Sequence, residues 1–121
     1  MVVSEVTKTR ADLAKKMGAT AVIHPELDKG AEGLLQQFAA VAGGAPDVIF
    51  ECVGAPGLLQ QCIEMAPHRG KIIPVGVCEK PDAIMPFFGL VKELQIQFAI
   101  AYKRDDFDTC VAMLGERSID I

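Results

Sequence analysis

Residues 1–25 read MVVSEVTKTRADLAKKMGATAVIHP, and their pattern is strand, helix, strand. Met1–Ser4 is an apolar run that ends at the acidic Glu5. Thr9 and Asp12 stand at capping-box spacing ahead of Leu13, Ala14 and Met17, and Gly18 offers the left-handed stop of a helix. Ala21–Ile23 is apolar again. The alternation continues through the runs Asp47–Cys52, Lys71–Val77 and Leu94–Ala101, several of them continuously apolar, as strands covered on both faces are. Between the runs lie stripes at helical spacing: Ala31, Leu34, Leu35, Phe38 and Ala42, ended by Gly43-Gly44; Leu59, Cys62, Ile63 and Ala66, ended by the Pro67–Gly70 turn; and Phe107, Cys110, Val111 and Leu114, closing around Gly115. All the stripes are expected to pack on a sheet. Pro74 conflicts with a central strand because it lacks a ladder donor, so a bulge or loosened strand end is expected there. The pattern predicts an α/β domain over 1–121, a doubly wound parallel sheet of about five strands with helices on both faces.

A length of 121 residues suits one domain with a single core, and an apolar half makes disorder untenable. A net charge of −4 offers no footprint for nucleic acid or an anionic membrane. Cys52, Cys62, Cys78 and Cys110 form no CxxC pair and no short Cys/His spacing, which points to reduced structural thiols in a cytoplasmic protein and to no metal site. No stretch reaches the length of a membrane span.

In an open parallel sheet, ligands bind beyond the carboxyl ends of the strands. Those ends are Ser4 and Glu5, His24, Val53 and Gly54, the segment Val75, Gly76, Val77, and the segment Ala99, Ile100, Ala101. Glu5 can accept hydrogen bonds from both hydroxyls of an adenosine ribose, and its charge would repel a 2′-phosphate, which favours NAD over NADP. A solvated strand-end carboxylate fits the same position equally well. Arg10, one turn into the next helix, can close over the adenosine. Gly54 and Gly57 in VGAPG, and Gly76 in PVGV, let a ring or ribose approach the backbone, although turns also use glycine for conformation alone. His24 and His68 read as loop histidines. No nucleophile is placed beside a base, so the chain offers binding residues and no catalytic ones.

The order of these pieces resembles the coenzyme-binding domain of the medium-chain, zinc-type alcohol dehydrogenases. The likeness is carried by VVSE…TRADLAKKMGATAVIHP, PDVIFECVG, RGKIIPVGV, MPFFGLVKELQIQFAIAY and DDFDTCVAMLGERSIDI, in the family's order over nearly the whole chain. By this resemblance Glu5 takes the ribose-binding acidic position and Arg10 the basic position beside it. Val53 and Gly54 line the cofactor cleft, and the backbones of Val75, Gly76, Val77, Ala99, Ile100 and Ala101 meet the nicotinamide carboxamide. The resemblance implies an NAD-dependent alcohol or polyol dehydrogenase as the parent enzyme, with zinc in a catalytic domain outside this chain and an isolated chain that is inactive. An NADPH-dependent quinone or enoyl reductase of the same superfamily ranks second, since that branch usually lacks the acid at Glu5. A non-catalytic dimerisation or nucleotide-binding module is the other alternative.

The first βα unit of the family, with its glycine turn, has no counterpart here, so the domain reads as truncated. Closure of the empty central slot then predicts the strand order 2-1-3-4-5, with Val2–Ser4 paired to Val48–Phe50. The family also joins two coenzyme domains across its last strand, which implies a homodimer with Leu94–Tyr102 antiparallel to its copy.

Overall fold

The computed structural model describes residues 1–25 and 29–119. Ten elements alternate along it: β1 (Val2–Ser4), α1 (Lys8–Lys16), β2 (Ala21–Ile23), α2 (Gly30–Ala42), β3 (Val48–Glu51), α3 (Leu58–Met65), β4 (Lys71–Pro74), α4 (Pro86–Val91), β5 (Gln95–Ile96) and α5 (Arg104–Gly115). All strand pairs are parallel, each closed by the intervening helix. The helix stops expected at Gly18 and Gly43 are left-handed, with φ of 92° and 79°. Helix α1 begins one residue after Thr7 rather than at Thr9, and Asp12 pairs with Lys8 along the helix instead of capping it. Helix α4, not foreseen from periodicity, starts on Pro86, whose fixed φ and missing N–H suit a first helical turn.

The strands form two sheets, β1-β2 and β3-β4-β5, and the expected closure of Val2–Ser4 onto Val48–Phe50 does not occur among the described residues. Packing joins the halves instead. Ile23 of β2 and Leu34 of α2 meet Met65 of α3, and Ile49 of β3 touches both this cluster and the one made by Cys62, Ile63, Ala66 and Ile72. Helices side by side need about 8–10 Å, roughly two strand spacings, so the α2–α3 contact holds β1 and β3 apart. Three residues of β1 offer too few ladder bonds to override it, each contributing about 1 kcal/mol.

The strands are also shorter than their apolar runs. Strand β4 ends at Pro74, the loosened end that proline predicted. Only Gln95–Ile96 of Leu94–Ala101 is regular strand, yet the N–H groups of Gln97 and Ala99 still donate to the carbonyls of Ile72 and Pro74, both at 3.0 Å. At Ala101 the backbone turns left-handed, with φ of 59°, and leaves the sheet. Helix α5 therefore lies past the edge, and its stripe stays exposed rather than covering the sheet: Phe107 and Val111 keep 53% and 52% of their surface. Tyr102 stacks on Phe107 at 6.2 Å.

Helix α3 is the most deeply buried helix end to end, with Ile63 at 1% exposure. Its last turn carries no basic residue. The cation comes from the end of α4: the Lys92 ammonium donates to the carbonyls of Ile63, Glu64 and Ala66 at 3.1, 2.7 and 3.0 Å. These groups would otherwise be orphaned at the negative end of the helix. Lys92→Met, which keeps the apolar stem, is expected to lower stability by about 1.5–3 kcal/mol in urea unfolding. A loss below about 0.5 kcal/mol would show that water caps the helix equally well.

Candidate functional site

Strand β1 delivers Glu5 to the end of the two-stranded sheet, where its N–H donates to the carbonyl of Ile23 at 3.1 Å. The carboxylate is not merely solvated. Arg10 reaches back from the first turn of α1, its Nε on Oε2 and its terminal nitrogen on Oε1, both at 2.8 Å. The Thr7 N–H adds a third bond to Oε1 at 2.7 Å. This fork is the strong, planar form of ion pair. The Arg10 guanidinium, helped by the Thr7 amide, holds the Glu5 carboxyl far below its ordinary 4.5, at about 2.

A second cluster forms where β3 and β4 end. Glu51 closes β3 at 8% exposure, and its Oε1 accepts the N–H groups of Val53 and Gly54 at 2.7 and 2.8 Å. Its own carbonyl accepts the N–H groups of Val75 and Gly76 at 2.8 and 2.9 Å. The two turns are thereby drawn together until their backbones touch. A Cβ on Gly76 would stand 2.2 Å from the Gly54 nitrogen, and one on Gly54 would stand 2.4 Å from the Val77 carbonyl oxygen. Gly54 also has φ of 73°. These glycines serve the contact of one turn with the other. The loop after β4 is fastened over α3, as Asp82 Oδ1 accepts the Gly57 N–H at 2.7 Å and Gln60 Oε1 accepts the Met85 N–H at 2.8 Å.

Between these turns lies a cleft of about 220 Å³, lined in part by Glu51, Gly54, Pro74, Gly76, Cys78 and Phe98. Of the residues singled out from sequence, Gly54 and Gly76 share this cleft. Val53, Val75 and Val77 are exposed beside it, and Phe98, next to the segment Ala99, Ile100, Ala101, lines it. Glu5 and Arg10 form their own cluster on the other sheet and do not line it. Glu51 was not foreseen, although an acid inside the apolar run PDVIFECV is a signal, because a buried charge must find donors. His24 and His68 are exposed loop residues, as expected. Burial pushes the Cys62 thiol up to about 11, so it is an inert core group, and all four cysteines are free. Among the described residues no three His, Cys, Asp or Glu side chains are grouped to hold a metal, and no helix is long and apolar enough to cross a membrane.

Parallel strands linked by helices, an acid–base fork at one strand end and paired glycine turns at two others define an α/β domain of the nucleotide-binding, Rossmann-like class. Residues 1–116 match the zinc-binding dehydrogenase family, and the chain belongs to it. It is 30% identical over 112 residues to (R,R)-butanediol dehydrogenase of Bacillus subtilis, covering 93% of this chain and 31% of that protein. The crystal structure of L-idonate 5-dehydrogenase from Escherichia coli superposes with a TM-score of 0.80 at 25% identity, covering 98% of this chain and 32% of that one. A zinc-binding dehydrogenase of Sinorhizobium meliloti, solved bound to NADP, matches with a TM-score of 0.80 at 25% identity, over 99% of this chain and 35% of its own. The chain spans about a third of the length of the curated relatives it matches, which include butanediol and sorbitol dehydrogenases.

The Glu5–Arg10 fork sets a pH dependence. The folded carboxyl lies below its unfolded value, so the fork stabilises fully above about 4.5 and its contribution disappears as pH falls through about 2. Carbon-13 NMR titration of the Glu5 carboxyl is expected to give a midpoint near 2 in the folded chain, moving up toward 4.5 in Arg10→Met. An unshifted midpoint in the unsubstituted chain would mean that the fork does not persist in solution.

Proposed function

We propose that this chain is the coenzyme-binding portion of an NAD-dependent alcohol or polyol dehydrogenase. The observation that carries the reading is Glu5, a fixed and ionised acceptor at the strand end where this family's fold meets the adenosine ribose. The fork orients both carboxylate oxygens, so a ribose with free 2′- and 3′-hydroxyls finds acceptors already aimed. A 2′-phosphate finds a negative charge at the same place, and Arg10, already forked onto Glu5, is not free to compensate it. This favours NAD over the NADPH of a reductase, and the butanediol and sorbitol dehydrogenases among the relatives support the alcohol or polyol dehydrogenase reading. Bound nicotinamide supplies the hydride acceptor. The chain's own residues bind and orient, with Val53, Gly54, Val75, Gly76, Val77, Ala99, Ile100 and Ala101 offering backbone at the nicotinamide end.

 Zinc chemistry, which the family name implies, is assigned to no residue of this chain.

NAD is therefore expected to bind in preference to NADP by about tenfold. Glu5→Ala should bring the two affinities together in parallel calorimetric or NMR titrations. An unchanged ratio would remove Glu5 from the site.

The same reading extends to a homodimer through Leu94–Tyr102. Gln95, Gln97 and Ala99 turn their N–H groups toward β4, so by alternation those of Ile96, Phe98 and Ile100 face the open edge. Phe98, Ile100 and Tyr102 are 71%, 81% and 74% exposed there. An apolar edge with unpaired donors favours pairing with its own copy. Light scattering after size exclusion is expected to show a dimer, and Ile100→Pro, which removes an outward donor, a monomer. A dimer indifferent to that substitution would place the interface elsewhere.

A further inference from the structure

We infer that Glu51 is the positioning residue for the nicotinamide end of the cleft, the one group that sets the two glycine turns against each other. The inference rests on the reading above that the ends of β3 and β4 meet the cofactor. One residue accepts four N–H groups, two on its side chain from Val53 and Gly54 and two on its carbonyl from Val75 and Gly76. The first pair belongs to the turn before α3 and the second to the turn after β4. The side chain's second oxygen lies against Gly76, 2.7 Å from where a Cβ would stand. Neither turn can shift without breaking bonds to Glu51.

The chemistry explains why an acid occupies this strand. The carboxyl oxygen accepts two short amide bonds, and those donors offset the cost of burying the polar group. An apolar residue here would leave the Val53 and Gly54 amides without their acceptor beside a buried strand end. The backbone pair on the Glu51 carbonyl would survive any substitution, so removing the carboxylate frees the turn before α3 while β4 stays paired with β3. Glu51 thus acts through the backbones of Val53 and Gly54. It is a positioning residue that makes the cleft before a ligand arrives.

Two half-ligands separate this role from general stability. Nicotinamide mononucleotide probes the strand ends at 53–54 and 75–77, and adenosine monophosphate probes the Glu5–Arg10 end. In NMR titrations of the 121-residue chain, Glu51→Ala is expected to weaken the nicotinamide mononucleotide about tenfold and to leave adenosine monophosphate within about twofold. Hydrogen exchange at the Val53 and Gly54 amides should accelerate about tenfold or more in the same variant. Glu51→Gln keeps an acceptor oxygen for both amides and should restore the nicotinamide affinity to within about threefold. Equal weakening of both half-ligands would reduce Glu51 to a fold-stabilising residue and overturn the inference. So would exchange and nicotinamide binding that ignore Glu51→Ala. If the amides at 53–54 and 75–77 of the unsubstituted chain respond to no nicotinamide mononucleotide, the cofactor reading of that end fails first, and the positioning role falls with it.

Discussion

The contact of α2 with α3 is the constraint on which the arrangement depends. It places Leu34 and Met65 together, draws Ile23 into the same cluster, and uses Ile49 to link that cluster with the one around Ile63 and Ile72. Among the described residues, Ile63 and Ile72 are the large side chains removed almost wholly from water. Burying such a side chain contributes about 1.5–3 kcal/mol, more than a net strand hydrogen bond. Hence the helices decide where the sheets lie, and the strands pair only where the helices allow it. The two sheets share apolar contacts across α3 but, among the described residues, no ladder.

What was legible in the sequence is what local chemistry fixes. The alternation of apolar runs and helical stripes located β1 to β4 and α1 to α3, and Gly18 and Gly43 ended their helices in the conformation only glycine adopts freely. Pro74 marked a strand end for the reason that makes it a poor ladder residue. Partnership was not legible, because it is set by distant packing. Nothing in VVS distinguishes a strand that pairs on both sides from one that pairs only with Ala21–Ile23. The stripe of α5 has the same periodicity as that of α3, yet Ala101 turns the chain away before it can be buried.

The candidate site divides in the same way. Glu5 and Arg10 were suggested by their residue types at a strand end and in the following helix, while the fork between them is a fact of three dimensions. Gly54 and Gly76 were legible as open positions, but the close approach they permit is that of one turn to the other. Glu51 was hidden in an apolar run, where hydrophobic patterning treats a single acid as noise. Its function depends on amides that only the folded turns bring to it.

The way each sheet is closed bears on how the chain opens. Val2 meets Ala21, Val48 meets Lys71 and Lys71 meets Gln95, so every strand pair is bridged by a loop of about twenty residues whose closure entropy is modest. The halves still lean on each other, since Met65 of α3 completes the cluster of Ile23 and Leu34. Along the boundary between the sheets, among the described residues, side-chain packing is the tie and no strand ladder crosses it. Opening along this boundary would expose Met65 and Ile49 to water while leaving each ladder paired.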